Sequence, residues 1–138
     1  MKRLAYIFFL FGILGTVAVF MGCGSMSGEP SEANCRTVIE NRISEGNLEQ
    51  LVEIVSFKKA DSYTVSIQDK EVYVVYFELE VRYLDEVREV TLEGITSIDT
   101  DNTLTFPSGN KGELQIISDK MEFLKTDKGW RGQDDNIY

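Results

Sequence analysis

Val72-Tyr-Val-Val-Tyr-Phe-Glu-Leu-Glu-Val-Arg-Tyr-Leu84 decides the fold. β-Branched and aromatic residues crowd it, which is the composition of a strand. One face carries Tyr73, Val75, Phe77, Leu79, Val81 and Tyr83. The other carries Val72, Val74 and Tyr76, then changes to Glu78, Glu80 and Arg82. The first half is therefore apolar on both faces and the second half on one. Such a strand starts between two layers and runs out to where one side meets water. It is also longer than the usual strand, which predicts a curved central strand.

The elements on either side follow from local signals. Upstream, Gln68-Asp69-Lys70 reads as a turn, Tyr63–Ile67 as a short strand, Lys58–Ser62 as a polar break and Leu51–Phe57 as a first strand. Ser31 suits an N-cap, with Glu32 in the first turn where the helix dipole favours an acid. Cys35, Val38, Ile39, Arg42 and Ile43 then recur at helical spacing, so a helix over Ser31–Glu45 packs one narrow stripe. Gly46 is the expected stop, and Asn47–Gln50 could add a turn. Downstream, Asp85-Glu86 turns the chain, and Val87–Ile98 reads as an edge strand whose charges discourage aggregation. Asp99–Glu113 is loop-like around a short strand at Leu104-Thr-Phe106. Leu114–Thr126 is the last long strand. Asp119 breaks the parity of Ile117, Met121 and Phe123, which suggests either a bulge near Ser118 or a buried acid. Asp127-Lys-Gly129 turns into Trp130, and Arg131–Tyr138 is a polar tail pinned by its final aromatic. The fold class is α+β: one N-terminal helix packed on a curved antiparallel sheet of four to five strands, a single domain over 31–138.

The N-terminus reads as an address. Lys2-Arg3 precede Leu4–Met21, a run without charge, and then Gly22 and Cys23. A basic start, an apolar run and small residues before a cut site describe a secretory signal. The run also reaches the lower length limit for a membrane-spanning helix. Three readings follow: a lipoprotein signal ending at Cys23, an uncleaved transmembrane anchor, and an ordinary secretory signal. Residues 1–22 are then the signal and 23–30 a flexible tether. Gly24–Ser31 would span at most about 27 Å.

The whole chain has 23 acidic and 14 basic residues and a net charge of −9. Without Lys2 and Arg3 the remainder keeps 12 basic residues against 23 acids, a net −11. That charge argues against nucleic acid and against lying on anionic lipid. It suits solubility, or an acidic face for a basic partner or a metal ion.

Histidine is absent. That removes the commonest general base near neutral pH and the commonest nitrogen ligand for transition metals. Cys35 falls on the apolar helix stripe and reads as a buried free thiol. Glu78 and Glu80 stand about 7 Å apart on one strand face, by strand rise, a spacing that fits carboxylate hydrolysis and equally a solvated face. Asp99-Thr-Asp101-Asn102 lacks the glycine of a helix-loop-helix calcium loop, and Asp134-Asp135-Asn136 reads as solvated tail. Trp130 and Arg131, with Glu78 and Glu80, form the candidate interaction surface. No catalytic residues, metal or cofactor are expected, and the chain reads as a protein that is not an enzyme.

Phe20-Met21-Gly22-Cys23 resembles the lipobox of bacterial lipoprotein signal peptides, with Phe20 and Met21 standing where Leu and a small residue are usual. The resemblance implies acylation of Cys23, cleavage before it, and anchoring in membrane lipid. Gly24 rather than Asp after the cysteine implies the outer membrane, facing the periplasm, in a diderm cell, and otherwise the outer face of the plasma membrane. Several acyl chains give the stable hold that one does not. The domain resembles the cystatin-like group, which includes nuclear-transport-factor-2-like domains. The residues that carry this are the helix ending near Gly46, Val55–Lys59, Tyr73–Val81 and Phe123–Trp130. The implied anchor together with the missing catalytic groups points to a membrane-anchored lipoprotein acting as a non-catalytic interaction module of the cell envelope, with another envelope protein as partner. The alternatives are a small-molecule-binding or hydrolytic domain using carboxylates on the sheet face, and a structural envelope protein.

Overall fold

The computed structural model of the chain describes residues 28–94 and 103–138. The expected signal, Cys23, most of the expected tether, residues 95–98 and the loop expected at Asp99–Asn102 lie outside the described residues. The fold is α+β. One helix, α1 (Glu32–Glu45), is followed by β1 (Val52–Ile67), β2 (Lys70–Tyr83), β3 (Val90–Glu93), β4 (Thr103–Phe106), β5 (Leu114–Thr126) and β6 (Gly129–Arg131). The main sheet is antiparallel in the order β1-β2-β5-β6, and β3 and β4 pair separately.

Ser31 begins α1 as expected. Its Oγ accepts from the Asn34 N–H at 3.2 Å, while its own N–H donates to Asn34 Oδ1 at 2.9 Å. This reciprocal pair satisfies donors that the first helical turn leaves orphaned. The stripe Cys35, Val38, Ile39, Arg42 and Ile43 is buried. At the far end Gly46 stays right-handed, at φ −78°, and it is Asn47 that takes the left-handed conformation, at φ 56°. Gly46 matters for space: a Cβ there would stand 2.5 Å from Leu92 Cδ2.

The decisive stretch becomes β2, at the centre of the sheet. Tyr73, Val75, Phe77, Leu79, Val81 and Tyr83 join the α1 stripe in one core with Met121, Phe123 and Trp130. Burying a Val or Ile side chain contributes about 1.5–3 kcal/mol, so this face holds the helix to the sheet. On the opposite face Val72 and Val74 are also buried, whereas Tyr76 and Glu78 are exposed.

Two expectations about strands are corrected. The polar break at Lys58–Ser62 does not exist, because β1 runs through it in 16 residues. Its register skips between Ile54 and Ser56 and between Lys59 and Asp61, leaving Val55 and Ala60 as extra residues. Each bulge flips the side-chain parity, which is why the strand looks broken in sequence. The bulge expected near Ser118 is absent. β5 pairs with β2 without a shift from Leu114 to Leu124, and Asp119 sits opposite Phe77, half-buried on the inner parity.

The tail is folded rather than merely pinned. The Trp130 N–H donates to the Tyr138 backbone oxygen and the Tyr138 N–H returns to Trp130. Gly129, at φ +140°, starts this hairpin, and a Cβ there would lie 2.7 Å from that same Tyr138 oxygen.

Candidate functional site

The four candidate surface residues do not form one site. Trp130, named as a surface candidate with the core as its alternative, is 1% exposed and belongs to the core. Its ring packs at 5.7 Å from Tyr73, and Lys125 Nζ lies 4.5 Å from its centre. Its Nε1–H has no acceptor among the described residues. Arg131, next along β6, is half-buried and pairs with Asp135 at 3.7 Å. Glu78 and Glu80 lie on the sheet face away from α1. Glu80 accepts from Ser56 Oγ at 3.2 Å, and Glu78 stands opposite Lys58. Glu78 and Asp119 line one open depression of about 380 Å³ with Ala60, Tyr76 and Lys120; Glu80 is not part of it. A second depression, of about 350 Å³, is framed by Glu86, Arg88, Asn110 and Glu113.

The most developed polar cluster joins α1 to the tail. Asp134 was expected to be solvated, and this too is corrected: it is 3% exposed. Its Oδ2 accepts from Asn41 Nδ2 at 2.6 Å, from Tyr138 Oη at 2.6 Å and from Asn136 Nδ2 at 2.8 Å. Burial alone would raise its pKa, but the bonds from Tyr138, Asn41 and Asn136 outweigh burial and hold it below the usual carboxylate range. Tyr138 moves the other way, raised first by burial and then by its bond to Asp134. Beside them Arg42 donates to Gln133 Oε1 at 3.0 Å and to the Leu92 carbonyl at 2.9 Å. Burial pulls its pKa down, against the fields of Asp119, Asp134 and Glu45. One signal for this cluster was visible in the sequence: Arg42 occupies the apolar stripe of α1, where a cation needs partners.

Cys35 is buried as expected, and burial pushes its thiol up to about 11 despite the opposing charge of Lys59. A thiol so placed is a poor nucleophile. Lys59 Nζ donates to Tyr73 Oη. The groups with shifted pKa in this part of the core thus hold packing partners, and they do not converge on a space where a substrate would fit. Among the described residues no group of three His, Cys, Asp or Glu is placed to hold a metal ion. No helix among them is long and apolar enough to cross a membrane.

A third depression, of about 370 Å³, lies between α1 and the start of β1. Ile43, Val52, Ile54 and Leu84 supply its apolar lining, and Arg36, Glu40, Glu49 and Glu53 its charge. The candidates chosen from the sequence include none of these residues, because the groove is made by the meeting of two elements rather than by a local motif. The chain matches no protein-family model, no curated protein and no solved structure.

Proposed function

We propose that this chain is a bacterial lipoprotein, anchored in the cell envelope through acylated Cys23, whose domain binds another envelope protein without catalysis. The anchoring part rests on Lys2-Arg3, the apolar run and Gly22-Cys23. The observation that supports a binding module is the filled inner face of the sheet. Cys35, Val38, Ile39 and Ile43 occupy it against Tyr73, Val75, Phe77 and Phe123. A ligand therefore meets the exterior, where the depressions are open and shallow. Of the sheet-face acids, Glu78 and Asp119 share one open depression and Glu80 lies outside it, so they do not surround an enclosed chamber. One helix across a four-stranded antiparallel sheet is also in keeping with a cystatin-like domain, a likeness of architecture that does not itself assign a function.

Metabolic labelling with a fatty-acid probe tests the anchor. Wild type incorporates the probe and Cys23→Ser does not; labelling that persists in the variant overturns the lipoprotein reading. In-cell cross-linking of the anchored protein tests the binding role. Recovery of a specific envelope protein supports it, and a chain that cross-links only to lipid or to nothing counts against it.

A further inference from the structure

In the groove between α1 and β1 an apolar floor, charge and a free strand edge coincide. β1 is paired with β2 on one side and with no strand on the other among the described residues. The Lys59 N–H, which points away from β2, donates to Glu32 Oε2 of the helix at 2.9 Å. Glu53 and its neighbours Val52 and Ile54 point to opposite faces of the sheet, yet all three line the groove. The groove therefore opens at the edge of β1, where backbone groups and side chains can be met together.

Acids outnumber bases in its lining. Three glutamates face it, against one arginine in the lining. Arg36 is held by Glu40 at 2.8 Å, and Arg82 reaches Glu53 at 3.3 Å from outside. Glu49 has no basic partner among these pairs, and the Ser44 hydroxyl that donates to it at 2.7 Å keeps its carboxyl below the usual range. Leu84, 37% exposed, leaves apolar surface on the floor.

We infer that this groove docks an extended, basic segment of a partner protein. One apolar side chain seats on Ile43, Val52, Ile54 and Leu84, and Lys or Arg on either side of it face Glu40, Glu49 and Glu53. Charge decides the occupant: a second copy of this chain, itself at −9, or an anionic lipid surface would bring like charge to the rim. The inference rests on the binding-module reading and gives it a site.

The test uses the full chain in a nonionic detergent and a fluorescein-labelled peptide, Lys-Val-Lys-Leu-Lys-Val-Lys, read by fluorescence anisotropy. The peptide binds, and more weakly at about 300 mM than at about 50 mM salt. Replacing its Val and Leu by Ser weakens binding by about tenfold, since the apolar anchor is lost. Glu49→Gln with Glu53→Gln, or Leu84→Ser, does the same from the protein side, by about tenfold. These side chains are partly or fully exposed, and circular dichroism checks that each variant is folded. Equal binding of the Ser peptide, or unchanged binding by the variants, overturns the inference. So does a dimer that disappears in Leu84→Ser, which would give the groove to a second copy. Cys23→Ser leaves peptide binding unchanged. Loss of the groove with cross-links to a partner intact therefore counts against the groove alone, and absent cross-links with peptide binding intact count against the envelope role alone.

Discussion

Asp134 accepts from two side-chain amides and a phenol on one oxygen, and it does so at 3% exposure. Its folded pKa lies below its ordinary value. Its stabilising effect is thus complete above the unfolded value of about 3.9 and is lost as pH falls through the folded one. Asp134→Asn should lower stability near neutrality by about 1–3 kcal/mol, and urea unfolding should show the gap to wild type narrowing in acid. Cys35 makes the opposite case. With its pKa pushed up to about 11, it should resist iodoacetamide in the native protein at neutral pH and react once urea unfolds the chain, as mass spectrometry would read. Trp130 separates packing from recognition. Trp130→Ala should cost about 3–5 kcal/mol in a melt. Trp130→Phe should cost much less, because it keeps a ring against Tyr73 and deletes an N–H without an acceptor among the described residues.

The elements were legible where a face is continuous. β2 and β5 keep their alternation through the Tyr73↔Phe123 to Val81↔Gln115 register, so the sequence shows them nearly to the residue. The stripe of α1 is read as easily, since Cys35, Val38, Ile39 and Ile43 share one side. β1 was not, because Val55 and Ala60 reset its parity and split one strand into two apparent pieces. The β1–β2 turn was placed correctly, but its geometry is strained: Gln68 and Asp69 both stand at positive φ, 51° and 61°. That is the two-residue hairpin turn that favours Asn-Gly. Asp69→Gly should therefore raise the unfolding free energy by on the order of 1 kcal/mol, since it relieves a side chain in the left-handed region. Calorimetry would check it. The groove between α1 and β1 was invisible for a different reason: its lining comes from residues 36 to 84 and depends on how two elements meet.

At the scale of the whole molecule, the two ends of the domain meet on α1. The tail reaches it through Asn41–Asp134 and Arg42–Gln133, and sequence reasoning missed this because polar residues become buried by satisfying one another, which leaves no periodicity. Deleting residues 132–138 would strip Asn41 and Arg42 of these partners and uncover Trp130. The truncated chain should lose its single cooperative unfolding transition, as tryptophan fluorescence against urea would record. At the other end, Thr64 Oγ1 donates to Glu29 Oε1 at 3.1 Å, and the Lys59 N–H donates to Glu32, so the chain is stitched to β1 as it enters the helix. Those two stitches have a mechanical meaning. Any pull on the segment before Gly28 reaches the domain there, at the first turn of α1. The helix start would peel away before the paired strands part. Cys35, one turn further on, would then come into solvent, so its alkylation would serve as a gauge of tension on the preceding chain.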